Sequence, residues 1–169
     1  MALSDQIAGG GDTGGAGASF DGFTIPAAKG RLRAADPVGA GPGAVVELTV
    51  PALTGYLGVV RTATAGLAAR LSFTLDEIED LRIAVDQACV MLLSLPGPQP
   101  PGSATLTCRF RVSDEALAVA VSAWVDDEAV MPAEQSFAWQ VLTAHAAEVT
   151  GRAEHGRAVV ELLKRRQRR

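Results

Sequence analysis

The stretch VVRTATAGLAARLSFTLDEIEDLRIAVDQAC, residues 59–89, decides the fold. Apolar residues recur there every three or four positions, which predicts two consecutive helices. The segment TLDE (74–77) has the pattern of a capping box, in which the Thr74 and Glu77 side chains bond each other's backbone amides. The second helix therefore begins after Thr74. The first helix spans about 54–71 and has one apolar face, formed by Tyr56, Val60, Ala63, Leu67 and Leu71.

The second helix also has one apolar face and a clear end. It stops before PGPQPPG (96–102), because proline cannot continue a helix. Its buried positions are predicted to be Ile78, Leu81, Val85, Ala88 and Leu92.

Strands are predicted on both sides of this helix pair. Alternating patterns occur in VVELTV (45–50), ATLTCRFRV (104–112) and ALAVAVSA (116–123), with a short turn SDE between the last two. A third helix over 137–147 buries Ala138, Val141, Leu142 and His145, and EHG (154–156) turns between two closing strands. This order predicts an α+β two-layer sandwich, a mixed and mostly antiparallel sheet with helices on one face.

Composition bounds the organisation of the chain. Residues 1–43 are rich in glycine and alanine and have no periodicity, so we predict a disordered extension, followed by one domain over 44–166 and a basic tail over 167–169. No apolar run is long enough for a bilayer and the first residues lack the pattern of a signal peptide, which predicts a cytoplasmic protein that contacts no membrane. Cys89 and Cys108 lie in apolar patterns and are predicted to be buried free thiols.

The charge pattern argues against a nucleic-acid partner. The formal net charge is −4 although the chain ends in KRRQRR (164–169), so the remainder is more acidic still. An acidic surface repels a phosphate backbone and attracts a basic partner. We therefore predict no direct contact with nucleic acid.

Two long stretches carry a resemblance to a known family. The order of elements, the stretch 59–89 and SFAWQVLTAHAAEVTGRAEHGRAVVELLKR (136–165) together resemble the anti-sigma regulatory factors and serine/threonine protein kinases of the GHKL ATPase superfamily. The resemblance implies a histidine-kinase-like ATPase fold over 44–166 and a homodimer. It also implies two partners, a sigma factor and an anti-anti-sigma protein with a STAS domain.

The catalytic positions of that family are altered here. The resemblance places the family's activating Glu at Gln87 and its Mg²⁺-binding Asn at Met91. A carboxamide cannot act as a base, and a thioether is a poor ligand for a hard cation. The neighbouring Asp86 points about 100° away on a helix, so we predict an ion pair with Arg82 instead of a substitute base.

The nucleotide-binding positions depart from the family as well. The adenine-binding Asp falls on Ala123, and Asp126 could replace it only if the strand register slips. The phosphate-binding turn reads SFAWQV without glycine, while Gly156 keeps the closing glycine. We predict that Trp124 and Trp139 pack the vacated pocket or an interface. No cofactor is expected, and ATP and Mg²⁺ would bind only if the altered site is still functional. No other metal site is predicted.

The surface that binds partners is predicted to survive. By resemblance, Arg61 corresponds to the arginine that contacts the sigma factor and the anti-anti-sigma protein. The sequence therefore predicts an anti-sigma factor that sequesters a sigma factor and represses transcription. Two alternatives remain open: an active ATP-dependent serine kinase of the anti-anti-sigma protein, and a regulatory module attached to another pathway through its ends.

Overall fold

The computed structural model describes residues 19–20, 23–24, 44–97 and 104–167. The chain divides into two compact units, residues 1–34 and 35–169. In the first unit, β1 (Ser19–Phe20) pairs antiparallel with β2 (Phe23–Thr24). The rest of the predicted extension 1–43 and the last two residues of the predicted basic tail lie outside the described residues.

The second unit contains a five-stranded sheet. Its strands are β3 (Ala44–Pro51), β4 (Thr105–Val112), β5 (Ala116–Trp124), β6 (Glu148–Glu154) and β7 (Arg157–Arg165), in the order β3-β4-β5-β7-β6. Every neighbouring pair is antiparallel, so this sheet is wholly antiparallel and contains no parallel pair.

The described residues form three α-helices, and all of them belong to one layer. They are α1 (Leu57–Arg70), which follows a 3-10 turn at Thr54–Tyr56, α2 (Leu75–Leu93) and α3 (Phe137–His145). The capping box is confirmed: the Thr74 hydroxyl accepts from the Glu77 amide and the Glu77 carboxylate accepts from the Thr74 amide. Helix α2 packs on β5 and β7, with α1 and α3 beside it, which confirms the α+β two-layer fold.

The core lies between α2 and the inner face of the sheet. Alternate strand residues point into it, because successive side chains of a strand face opposite ways. Full burial of one leucine or phenylalanine side chain stabilises the folded state by about 1.5–3 kcal/mol relative to leaving it exposed. The thiols of Cys89 and Cys108 are free and buried, as predicted, and the hydrogen bond to Cys108 together with burial raises the pKa of Cys89. The core positions of the strands and α2 include Leu106, Phe110, Leu117, Val119, Val121, Val160, Leu162, Leu81, Val85, Ala88 and Leu92.

Two helix faces differ from the predicted ones. Tyr56 is exposed because it belongs to the 3-10 turn, which precedes the regular helix. Val60 is buried as predicted, and the other buried residues of α1 are Leu57, Thr64 and Ala68, whereas Ala63, Leu67 and Leu71 are half-buried. On α3 the fully buried residues are Trp139 and Leu142, whereas Ala138, Val141 and His145 are half-buried. None of the helices in the described ranges combines the length and apolarity needed to cross a bilayer.

Candidate functional site

The two catalytic positions of the predicted site lie on one face of α2. Gln87 is half-buried, and Met91, one turn later, is only 2% exposed. Met91 is part of the contiguous apolar core. Its thioether therefore packs among apolar side chains.

Asp86 joins α2 to α1. Its Oδ1 atom accepts a hydrogen bond from Arg61 Nη1 at 2.7 Å, and both side chains are about one-third to two-fifths exposed (32% and 41%). The predicted pair with Arg82 is wrong, because Arg82 bonds Glu79 instead. The prediction that Asp86 turns away from the face of Gln87 is consistent with this bridge, since the carboxylate points to α1. Arg61 is thus half-buried and held, not free on an exposed surface.

The register of β5 fixes the positions of Ala123 and Asp126. Ala123 pairs with Leu106 on one side and Ala158 on the other, and it is buried in the core. The strand ends at Trp124, so Asp126 lies beyond it and is exposed. No slip brings the Asp126 carboxylate into the position of Ala123.

Residues Val125–Gln135, which we call the covering segment, are fastened at several points. The Val125 amide donates to Gly156 O and the Asp126 amide donates to Pro96 O, both at 2.9 Å. Val125 and Ala129 are buried and belong to the same apolar cluster as Met91 and Ala123. The segment therefore packs on the same apolar core that contains Met91 and Ala123, two of the positions that the family resemblance assigns to nucleotide binding.

Trp139 holds the middle of the covering segment. Its indole Nε1 donates to Pro132 O at 2.8 Å, and the ring is 8% exposed. A methyl group at Gly151 on β6 would lie 2.6 Å from Trp139 Cη2 and 3.1 Å from Met131 Cε. Gly151 thus gives the ring and Met131 their space. Of the two tryptophans predicted to pack the vacated pocket or an interface, Trp139 is buried and Trp124 is half-exposed.

Gly156 serves the turn between β6 and β7. Its φ is +71°, a conformation that favours glycine, and a methyl group there would lie 3.0 Å from Asp127 Oδ1. Its carbonyl also receives the Val125 amide. In this structure Gly156 therefore supports the start of the covering segment.

The start of α3 has an unusual polar group. Ser136 is the N-cap residue, yet its side chain makes no capping bond, and its buried Oγ has no hydrogen-bond partner within the part of the chain that the structure describes. The same residues contain no group of three or more His, Cys, Asp or Glu side chains able to hold a metal ion.

Sequence reasoning missed two features of this region. Gly151 carried a usable signal, because a glycine inside a strand often marks a close approach of another group. A polar cluster of Asp80, His145 and Lys164 was also missed. No local pattern indicated it, because His145 lies 65 residues and Lys164 lies 84 residues after Asp80 in the sequence.

Comparisons with known proteins agree with the fold described above. No protein-family model matches the chain. The serine-protein kinase RsbW of Bacillus subtilis is 36% identical over 77 residues, which cover 46% of this chain and 48% of that protein. RsbW of Halalkalibacterium halodurans is 52% identical over 44 residues, which cover 26% of this chain and 27% of that protein. The chain thus spans about half or less of the length of these relatives.

A solved structure extends the likeness to most of the fold. The crystal structure of the RsbU and RsbW domains of Rv1364c from Mycobacterium tuberculosis matches with a TM-score of 0.59. The match covers 76% of this chain and 34% of that one at 14% sequence identity, so it supports the fold alone. Together, the comparisons show that the chain is similar to RsbW serine-protein kinases over 77 residues and shares the fold of the RsbU and RsbW domain structure.

Proposed function

We propose that this chain is an anti-sigma factor that binds and sequesters a sigma factor without using a nucleotide. The proposal is supported by the apolar character of two positions that the resemblance assigns to nucleotide binding. Met91, at the Mg²⁺ position, and Ala123, at the adenine position, are buried in the same apolar cluster as Ala129 and Trp139.

The residues present do not fit Mg·ATP. A Mg²⁺ ion requires oxygen ligands, and Met91 offers a buried sulfur. The adenine amino group requires an acceptor, and Ala123 offers a methyl group. Gln87 cannot take a proton from an attacking hydroxyl. The proposed function therefore involves no chemical step at this site.

The partner surface of the proposal lies on α1 and α2 around Arg61. The guanidinium bonds Asp86 through one nitrogen only, and its remaining donors have no partner among the described residues. Gly58, three residues before Arg61, has no side chain that could cover the guanidinium. A methyl group added at Gly58 would lie 3.9 Å from Arg61 Nη2. The exposed apolar side chains of Tyr56 and Val59 lie just before α1 and in its first turn, but Val59, two positions before Arg61, points to another side of the helix. The charge of Arg61 is therefore what this surface offers a protein partner.

The test is a binding titration with each sigma factor of the genome that carries this chain. The account predicts one complex with a Kd below about 1 μM, which Arg61→Ala weakens at least tenfold, equivalent to about 1.4 kcal/mol. Arg165→Ala is the control, because Arg165 also forms an ion pair, with Glu148, but lies on β7. If no sigma factor binds, the proposal is wrong. If Arg61→Ala leaves the Kd unchanged, the partner surface does not include Arg61.

A kinase remains the second candidate, because the curated relatives are named serine-protein kinases. The partner would then be an anti-anti-sigma STAS protein that carries the phosphorylated serine. Transfer of labelled phosphate from Mg·ATP to such a protein would support this candidate and overturn the nucleotide-independent proposal. A homodimer is also part of the proposal, and light scattering of the purified chain measures it directly.

A further inference from the structure

A polar cluster at the C-terminal end of α3 connects three elements. The Asp80 carboxylate on α2 accepts from Lys164 Nζ at 2.8 Å and lies 2.9 Å from His145 Nδ1. Lys164 Nζ also donates to the His145 carbonyl at 3.2 Å. We call Asp80, His145 and Lys164 the clamp.

The position of Lys164 shows that the clamp belongs to the interior side of the sheet. Lys164 pairs with Leu117 across β5 and β7, and Leu117 is fully buried. The Lys164 side chain is only 15% exposed and points to the helices, unlike that of the neighbouring Arg165, which pairs with Glu148. Its bond to the His145 carbonyl satisfies one of the free carbonyls at the end of a helix.

The opposite end of α3 leads to the covering segment. Helix α3 has nine residues, and the first buried one is Trp139, whose indole holds Pro132. A helix of nine residues is about 13 Å long, so fewer than three turns of hydrogen-bonded backbone connect the two ends of α3. Trp139, which packs over Gly151, is therefore only six residues from His145 in the clamp.

Few other charged side chains lie close enough to the clamp to replace one of its members. Helix α3 contains no Asp, Glu, Lys or Arg, and from α2 the nearby acids are Asp80 and Glu77. On β7 the cation is Lys164, while Glu148 on β6 is occupied by Arg165. Loss of the Asp80 carboxylate would leave Lys164 and His145 without their acceptor.

We propose that the clamp controls how often the covering segment opens, because it fixes the C-terminal end of the helix whose Trp139 holds that segment. This inference concerns the chain itself and requires no partner. It makes Asp80 a positioning residue that acts on a site formed by other residues.

Hydrogen exchange of the purified chain tests the clamp. For Asp80→Ala we expect the amides of residues 125–135 to exchange about fivefold faster, the size of effect given by a partly exposed ion pair. Amides of β4 and β5 serve as the internal reference and keep their rates. Asp80→Asn, which preserves the shape of the side chain, shifts the same amides in the same direction by a smaller factor.

The control is Glu148→Ala, which removes the neighbouring pair with Arg165 and leaves the clamp intact. We expect no change in residues 125–135 for this variant. A second measurement, acrylamide quenching of Trp139 fluorescence in a Trp124→Phe background, should rise in both Asp80 variants. Uniform acceleration of the whole sheet, unchanged exchange in 125–135, or an equal effect of Glu148→Ala would overturn the proposal.

Discussion

Two residues one turn apart on α2, Gln87 and Met91, carry the proposal that the family's chemistry is absent from this chain. The change from a carboxylate to a carboxamide removes a base, and a thioether replaces a hard oxygen ligand. These losses could be predicted from the sequence, because they follow from residue type alone. The partner of Asp86 could not: Arg61 and Arg82 both lie within reach of a helical acid, and only the crossing of α1 and α2 selects Arg61.

Gly151 gives a prediction at the scale of one residue. A methyl group there would lie 2.6 Å from Trp139 Cη2, so the ring must move or the strand must shift. Overpacking of this kind costs about 1–3 kcal/mol. We therefore expect Gly151→Ala to lower the free energy of unfolding by that amount in urea titrations followed by circular dichroism.

The matched control for Gly151 is Gly66→Ala. Gly66 lies on α1 with nothing within 4 Å of an added methyl group, and alanine is favoured over glycine within a helix by about 1 kcal/mol. This variant should be more stable than the wild type. If both variants shift stability in the same direction, the contact of Trp139 with Gly151 is not the reason.

At the scale of an element, α3 is held at both ends by contacts that sequence periodicity cannot reveal. The pattern correctly predicted a helix that begins near Phe137, but it placed Trp139 off the buried face. The reason is that Trp139 packs against the covering segment and β6, not against α2 alone. Periodicity records which residues are apolar, and contacts with a loop have no period.

The clamp gives α3 a pH dependence. Hydrogen bonds from Lys164 and from His145 hold the pKa of Asp80 below its ordinary value of 3.8. A lowered pKa stabilises the fold above the unfolded value, and this stability is lost as the pH falls through the folded value. The contribution is about 0.5–1 kcal/mol, since the Asp80 side chain is 38% exposed.

Urea unfolding of the wild type and of Asp80→Asn between pH 7 and pH 3 measures this term. The wild type should be more stable by a constant amount above about pH 5, and the difference should shrink below about pH 4. Groups such as Glu77 titrate in both proteins, so their contributions cancel when the two free energies of unfolding are subtracted. A difference that grows as the pH falls would contradict the lowered pKa of Asp80.

At the scale of the whole molecule, the order of elements could be predicted because each helix and strand has a clear apolar pattern bounded by proline, glycine or a capping box. The wholly antiparallel sheet and its strand order β3-β4-β5-β7-β6 required the structure, since pairing depends on contacts distant in sequence. The same holds for the apolar cluster that contains Val125, Ala129, Trp139 and Met91, because these residues come from separate segments of the chain.

The most direct measurement of the central claim is the Kd of the sigma factor complex with and without saturating Mg·ATP. Because Met91 and Ala123 place buried apolar side chains at the assigned nucleotide positions, we expect the same Kd within about twofold, a difference of about 0.4 kcal/mol. Calorimetry of the free chain with Mg·ATP should show no binding heat. A complex that forms only with Mg·ATP, or that tightens tenfold or more when it is added, would contradict the account.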